Sequence, residues 1–207
     1  MNSSVTSATV AVRQRGRPRE FDMDEALDQA IRVFSERGYN ATSIGDLVDA
    51  MGLASGSIYK AFSDKRAVFL AAFDRYKALR NEQVDRAAHT AKPARERLRD
   101  VLALYADSSR GMEGRRGCLV VGCAVELAVA DRGVAARVNG SLSRNEAFLA
   151  ALIGEGQAEG SIPAHIDPDA TARVMVCLTQ GMRVVGKSGR PPPETSVTVD
   201  IAMKMVE

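Results

Sequence analysis

Residues 43–62, SIGDLVDAMGLASGSIYKAF, contain two short helical patterns on either side of a tight turn at residues 51–53. The apolar residues of the first pattern recur at helical spacing and give it one buried face; they are Ile44, Leu47, Val48 and Met51. The second pattern, over about residues 55–62, buries Ile58 and Phe62, which are four positions apart. Gly52 is predicted to end the first helix. A helix often ends with a residue in the left-handed conformation, and glycine adopts that conformation at little cost. Two short helices joined by a turn that contains glycine predict a helix-turn-helix.

The second helix of this motif exposes small or hydrogen-bonding side chains, which suit the major groove of DNA; they are Ser55, Ser57, Tyr59 and Lys60. We expect Ser57, Tyr59 and Lys60 to make the main contacts. Thr42 is predicted as the N-cap of the first helix, where its hydroxyl caps backbone amides and also contacts a DNA phosphate. The neighbouring Ser43 is a further DNA-binding candidate at the same helix start.

A wider pattern of residues surrounds this motif and extends from Ala30 to Leu70. Its members are Ala30, Phe34, Gly38, Tyr39, Thr42, Ile44, Leu47, Ala50, Gly52, Gly56, Ser57, Ile58, Tyr59, Phe62, Lys65 and Leu70. It resembles the DNA-binding domain of the tetracycline-repressor (TetR) family of bacterial transcription regulators. The resemblance implies that Tyr59 and Lys65 contact the DNA backbone. Lys60 and Ala61 stand where the family often has an aromatic residue and a histidine, so the resemblance does not imply a base preference.

The resemblance also implies an all-α fold in three parts. A flexible basic N-terminal arm is expected over residues 1–20, a helix-turn-helix DNA-binding domain of three helices over residues 21–66, and a helical ligand-binding and dimerisation bundle over residues 67–207. Lys65 begins the fourth helix, which connects the DNA-binding domain to the bundle.

The arm carries four arginines that alternate through RQRGRPR with no acid among them: Arg13, Arg15, Arg17 and Arg19. Gly16 and Pro18 prevent a regular helix there. Because the segment precedes a DNA-binding pattern, we expect Arg15, Arg17 and Arg19 to lie over phosphates or to enter the adjacent minor groove. The alternative is a solvated basic tail.

Composition describes an ordinary globular chain of 207 residues with 45% hydrophobic residues, 26% charged residues and a net charge of +2. No apolar run is long enough for a membrane span, and the N-terminus has no signal-peptide core. Three cysteines at irregular spacing do not form a disulfide framework. These features predict a cytoplasmic protein that is associated with the nucleoid when it is bound to DNA.

Helix-start and helix-stop signals divide the remaining sequence. Asp22 is the predicted N-cap of a first helix that ends at Gly38. Pro93 is predicted to be the first residue of a helix, because proline is favoured at that position. Asp167 and Pro168 predict the N-cap and the first residue of a later helix. The segment 111–117 is expected to break the helical pattern between two helices.

Residues 118–130, CLVVGCAVELAVA, are apolar except for Glu126, which predicts a short helix buried on every side. Glu126 either holds a cationic or hydrogen-bonding ligand or is a structural carboxylate that pairs with an arginine or caps a neighbouring helix. Cys118 follows two arginines, and this setting favours thiol reactivity, so that either a sensing cysteine or a small buried residue is possible. Tyr105, Gly122 and Phe148 complete the candidate ligand site.

TetR-like proteins pair their last two long helices across a two-fold axis, which implies an interface over residues 170–186 and about 194–206. The candidate interface residues are Val174, Leu178, Gly181 and Val185. A homodimer also suits DNA binding, because one short recognition helix reads few bases.

Enzyme motifs are missing from the sequence: it has no glycine-rich phosphate loop, no catalytic Ser/His/Asp or Cys/His grouping and no pair of metal ligands at helical spacing. We therefore expect no cofactor and no metal, and we predict a dimeric repressor. It would bind a palindromic double-stranded DNA operator and be released by an unknown small-molecule inducer or a thiol-reactive signal. The alternatives are a helical enzyme or carrier domain behind a non-functional DNA-binding head, and an architectural DNA-binding protein without a ligand.

Overall fold

The computed structural model describes residues 22–190 and 194–207, and every regular element within these ranges is helical. The helices are α1 (Met23–Arg37), α2 (Ile44–Met51), α3 (Ser55–Ala61), α4 (Lys65–Ala88), α5 (Ala94–Asp107), α6 (Gly111–Arg116), α7 (Leu119–Glu126), α8 (Arg132–Ala158), α9 (Pro168–Lys187) and α10 (Thr195–Met203), followed by a 3₁₀ turn (Lys204–Val206). The predicted all-α class is confirmed. The arginine arm lies outside the described residues.

Local capping chemistry sets the ends of the first helices. The Asp22 carboxylate accepts a hydrogen bond from the Asp24 amide at 2.8 Å, which confirms the predicted N-cap of α1. Gly38 ends α1 with a φ of 83°, and Gly52 ends α2 in the left-handed conformation with a φ of 63°. The predicted turn of the helix-turn-helix is therefore confirmed.

The predicted N-cap of α2 is wrong by one residue. Ser43 is the cap: its hydroxyl accepts a hydrogen bond from the Asp46 amide at 3.1 Å, and its own amide donates to the Asp46 carboxylate at 2.8 Å. This reciprocal pair satisfies two backbone amides that the helix leaves unpaired. Thr42 instead turns inward, and its hydroxyl donates to the Gly38 carbonyl at 2.6 Å.

Three predictions for the C-terminal part also need correction. Pro93 is the N-cap of α5 and not its first helical residue. The expected break at residues 111–117 contains the short helix α6. The segment 118–130 is not buried on every side: α7 presents only one face to the core, which leaves Val125 83% exposed, and Val129 in the turn after α7 is 100% exposed. Asp167 and Pro168 begin α9 as predicted.

Two apolar clusters form the core, and α4 contributes to both. The first cluster packs α1–α4 against α7 and α8, and includes Phe34, Phe69, Phe73, Leu119 and Val138. The second packs the end of α4 against α5, α8, α9 and α10, and includes Val84 and Ala88 from α4. Because α4 is anchored in both clusters, it connects the helix-turn-helix directly to the C-terminal bundle.

Candidate DNA-binding surface and effector pockets

The exposed face of α3 carries the predicted recognition residues. Ile58 is fully buried and fixes the helix against the core, whereas the next residue, Tyr59, is 55% exposed. Ser55 and Lys60 are also exposed, and Ser57 is half-buried. The structure therefore brings a phenol, an ammonium group and two hydroxyls together on one short helix, a donor set suited to phosphates and base edges.

Thr42 does not belong to this surface, in contrast to the sequence-based expectation. Its side chain is only 1% exposed, and its hydroxyl is engaged with the Gly38 carbonyl. Ser43 is exposed beside it, although its hydroxyl takes part in the capping pair with Asp46. Of these two neighbours, only Ser43 has its side chain at the surface.

Lys65 holds the α1–α2 turn in place. Its ammonium group donates hydrogen bonds to the carbonyls of Tyr39 at 3.0 Å and Thr42 at 2.9 Å, and lies 4.2 Å from the centre of the Tyr39 ring. An ammonium group has three donors, so one is left for a DNA phosphate. Lys65 thus has a structural role that the sequence analysis did not anticipate.

Glu126 contacts the same turn from the C-terminal domain. Its carboxylate accepts hydrogen bonds from the backbone amides of Tyr39 at 2.9 Å and Asn40 at 2.6 Å. Glu126 therefore makes a structural contact with backbone amides, rather than the predicted arginine pair or helix cap. Gly38 is required here, because a Cβ atom at that position would lie 2.7 Å from the Glu126 carboxylate.

A mainly apolar pocket of about 300 Å³ lies between α1, α7 and α9, directly beside these contacts. It brings together three of the predicted ligand residues, Cys118, Gly122 and Glu126. The DNA-binding domain contributes Phe34 and Tyr39 to its wall. Phe69 of α4 adds to the same wall, and α9 contributes Arg183, Val184 and Lys187. A molecule bound in this pocket would therefore touch both domains.

A second, smaller cavity of about 20 Å³ lies inside the bundle behind Cys118. Most of its lining residues carry a polar group; the lining consists of Tyr76, Lys77, Arg80, Tyr105, Cys118, Val120, Ser141, Asn145, Gln180 and Arg183. Predicted residues Tyr105 and Cys118 meet here, whereas Phe148 packs against the second core cluster. The sequence analysis missed the three cations of this lining.

Cys118 stands between the two cavities and is half-buried. Its sulfur accepts a hydrogen bond from the Tyr76 hydroxyl at 3.4 Å. Burial raises the pKa of the Tyr76 hydroxyl, so that it stays protonated and available as a donor. Burial also raises the pKa of Cys123 to about 12, which keeps that thiol protonated at neutral pH.

The outer face of α9 is apolar and exposed. Val174 and Val185 are largely exposed, Gly181 is exposed and Leu178 is half-buried. Leu178, Gly181 and Val185 line a shallow apolar hollow of about 310 Å³ that reaches Thr198 on α10. An exposed apolar stripe of this kind is typical of a protein–protein contact.

Across residues 22–190 and 194–207, no cluster of three or more His, Cys, Asp or Glu side chains has an arrangement that could hold a metal ion. Within the same ranges, none of the helices combines the length and the apolar character that a membrane crossing needs.

The fold and the exposed face of α3 define a helix-turn-helix transcriptional regulator. The chain belongs to the TetR family: the family model for bacterial regulatory proteins of the tetR family matches residues 26–72, and a tetracyclin repressor-like C-terminal domain model matches residues 94–190. It is a sequence-specific DNA-binding regulator and not an enzyme.

Several relatives span nearly the whole chain. The HTH-type transcriptional repressor ComR of Escherichia coli (strain K12) is 32% identical over 193 residues, which cover 89% of each protein. The transcriptional regulator AcuR of Cereibacter sphaeroides is 31% identical over 194 residues, which cover 89% of this chain and 88% of AcuR. A cysteine mutant of the TetR-family regulator CifR, solved with 26-base-pair operator DNA, superposes with a TM-score of 0.80 at 28% identity and covers 91% of this chain and 98% of its own.

Proposed function

We propose that the chain is a homodimeric repressor of the bacterial cytoplasm that occupies a palindromic double-stranded DNA operator and leaves it on an effector signal. The observation that carries this proposal is the exposed donor face of α3, which is anchored by the fully buried Ile58. ComR is named a transcriptional repressor, and the CifR mutant was solved on operator DNA. Both support repression through direct operator binding.

The proposed DNA contacts come from three places. On α3, Tyr59 and Lys60 reach the backbone and base edges, with Ser55 and Ser57 beside them. At the α2 and α4 starts, Ser43 and the third donor of Lys65 face phosphates, because helix N-termini attract anions. The basic arm over residues 1–20 adds Arg15, Arg17 and Arg19, which lie outside the described residues. Thr42 contributes only by ordering the turn.

The proposed dimer forms through the exposed stripe of α9 together with α10. Besides Leu178 and Gly181, the stripe includes Val185, and α10 adds Val197 and Ile201, which are 47% and 61% exposed. Gly181 has open space around the position of a Cβ atom, which leaves room for a helix of the second subunit. Pairing these faces places two copies of α3 at a fixed spacing, which a palindromic operator requires.

The effector is proposed to be a small molecule or a thiol-reactive compound that acts at the two cavities around Cys118. Both cavities are lined by elements that contact the DNA-binding domain. Glu126, which lines the larger cavity, accepts a hydrogen bond from the α1–α2 turn. Tyr76 of α4 lines the smaller cavity. A change of operator affinity by a hundredfold needs a coupling free energy of only about 2.7 kcal/mol. The effector supplies it by binding the DNA-incompetent conformation more tightly than the competent one.

Operator binding is the direct test of this proposal. The purified full-length chain would be mixed with fragments of its source genome, including the region upstream of its own gene, and bound fragments would be sequenced and titrated by fluorescence anisotropy with excess competitor DNA. We expect a palindromic site and salt-sensitive binding by a dimer. A Tyr59→Ala/Lys60→Ala double variant should fold normally and select no site. Equal binding of every fragment by both proteins would refute the sequence-specific role.

A further inference from the structure

Arg183 is a buried cation without a countercharge. Its side chain is 3% exposed, although it lies on the long helix α9. One guanidinium nitrogen, Nη2, donates to the Gly117 carbonyl at 2.9 Å, whereas the buried Nη1 has no hydrogen-bond partner. Among the described residues, no aspartate or glutamate forms an ion pair with it. Leaving a charge buried and unpaired is costly, so this arrangement calls for a partner from outside the chain.

The small cavity beside Arg183 is lined by several hydrogen-bond donors. Lys77 and Arg80 line the same small cavity, and none of its lining residues is an aspartate or glutamate. Arg80 is paired with Glu113 at 3.1 Å, but Lys77 has no such partner among the described residues. The buried Ser141 hydroxyl, which also lines the cavity, lacks a hydrogen-bond partner as well. The missing group is therefore an anion that accepts several hydrogen bonds.

A carboxylate attached to an apolar body fits this site better than a free inorganic ion. Arg183 and Cys118 line both the small cavity and the mainly apolar pocket of about 300 Å³ beneath Glu126. A guanidinium group binds a carboxylate through two parallel hydrogen bonds. With the carboxylate at Arg183, the remainder of the ligand would extend into the apolar pocket against Phe34 and Phe69.

We propose that the effector is a small organic acid whose carboxylate is bound by the Arg183 guanidinium, with Lys77 as a second cation. This inference rests on the proposed function, because it names the ligand class of the effector site. The small cavity measures only about 20 Å³, which is room for roughly one water molecule. A carboxylate therefore enters by displacing the cavity walls, which belong to α4, α7, α8 and α9.

A purely structural role for Arg183 is the competing explanation. Gly117 ends α6 with a φ of 94°, and the hydrogen bond from Arg183 helps to hold its carbonyl. In that case Arg183 would matter for stability but not for the charge of a ligand. Matched ligands that differ only in charge separate the two explanations.

The test uses the full-length protein and ligand pairs of equal shape: sodium benzoate against benzamide, and sodium hexanoate against hexanamide, with sodium phosphate as an inorganic anion. Thermal shift and titration calorimetry would be measured at constant ionic strength. We expect the carboxylates to raise the Tm and to bind at least about tenfold more tightly than their amides. Phosphate should bind more weakly than either carboxylate, because it cannot fill the apolar pocket.

Variants at Arg183 complete the experiment. Arg183→Met, which keeps the volume and removes the charge, should abolish the preference for carboxylate over amide, and Arg183→Lys should retain part of it. Arg99→Met removes the same charge from α5, where Arg99 is paired with Asp200 at the surface, and should behave like the wild type. Operator binding by ligand-free Arg183→Met would show that this variant is folded.

The outcomes separate the ligand class from the proposed function. Equal binding of carboxylates and amides, no binding of any carboxylate, or an undiminished carboxylate preference in Arg183→Met would each overturn the inference. If carboxylates bind through Arg183 but leave operator affinity unchanged, the anion site stands and the effector role fails. Release of the operator only by neutral compounds would leave repression intact and refute the carboxylate assignment.

Discussion

Glu126 and Lys187 both hold the C-terminal end of α1 through hydrogen bonds to its backbone and to the residues just beyond it. The Glu126 carboxylate accepts hydrogen bonds from two backbone amides just beyond the helix. The Lys187 ammonium group donates to the Ser35 carbonyl at 2.6 Å and the Glu36 carbonyl at 2.9 Å. Both residues line the apolar pocket, so a ligand in that pocket lies beside two of the contacts that hold the DNA-binding domain.

Glu126→Ala should lower the free energy of unfolding by about 1–3 kcal/mol, because two backbone amides lose their acceptor. Urea denaturation monitored by circular dichroism would measure this change. Glu82→Ala is the matched control, since Glu82 is exposed on α4, and should stay within about 0.5 kcal/mol of the wild type. Equal effects of both substitutions would show that the Glu126 contact adds no stability.

Lys60→Ala should flatten the salt dependence of operator binding. Counterion release predicts that each lost phosphate contact reduces the slope of log K against log salt by about one unit, or about two for a dimer with two copies. Lys204→Ala removes the same charge from the exposed C-terminal turn and should leave the slope unchanged. The same slope in both variants would place Lys60 away from the phosphates.

The helix-turn-helix was predictable because its signals are local. Gly52 and the apolar spacing around it determine where α2 stops, and the same rules identified Asp22 and Gly38 as the ends of α1. The cap of α2 was assigned to Thr42 because two adjacent hydroxyl residues both satisfy the capping rule. Asp46, three residues after Ser43, was the readable signal that favoured Ser43.

The candidate effector site was less predictable because burial of a polar residue depends on tertiary packing. α9 has two stripes at helical spacing, and the sequence analysis followed the outer one, through Leu178 and Val185. The inner stripe runs through Met175, Thr179 and Arg183, all buried. An arginine four residues after Thr179 on that inner face was the available sign. Glu126 was singled out correctly, but its partners are backbone amides, which no side-chain pattern reveals.

Leu178→Asp should convert the proposed dimer to monomers, because a carboxylate would be buried against its symmetry mate in the apolar stripe. Light scattering after size-exclusion chromatography would report the mass of the particle. Operator affinity should fall by about 10²-fold or more once the two DNA-binding domains are no longer linked. Val129→Asp, at a fully exposed valine in the turn after α7, is the control and should stay dimeric. A dimeric Leu178→Asp would move the interface elsewhere.

Acid should weaken the protein through Asp131. Its carboxylate pairs with Arg66 at 2.7 and 2.9 Å and also accepts the Gly133 and Val134 amides, so these contacts, the Arg66 pair above all, hold its pKa well below the ordinary value of 3.8. A depressed pKa gives a stabilisation that is complete above pH 3.8 and is lost as the pH falls below it.

The Tm difference between wild type and Asp131→Asn should therefore be largest near neutral pH and shrink as the pH falls from 4 towards 2. Asp169→Asn, at an exposed carboxylate in the first turn of α9, should follow the wild-type curve throughout. A Tm difference that is constant with pH would mean that ionisation of Asp131 does not contribute to stability.

Cys118 is the thiol through which an alkylating compound should act on DNA binding. It lies between both cavities, and an adduct on its sulfur would occupy the space beside Arg183 and Tyr76. N-ethylmaleimide, added until mass spectrometry shows modified protein, should therefore release the operator from the wild type.

Cys118→Ser keeps an acceptor for the Tyr76 hydroxyl, so it should fold normally and stay on DNA. Cys177→Ser is the control, because Cys177 is exposed on α9, and its release should match the wild type. Release of Cys118→Ser by the reagent would transfer the response to another cysteine, with Cys123 the weaker candidate because its raised pKa of about 12 keeps the thiol protonated.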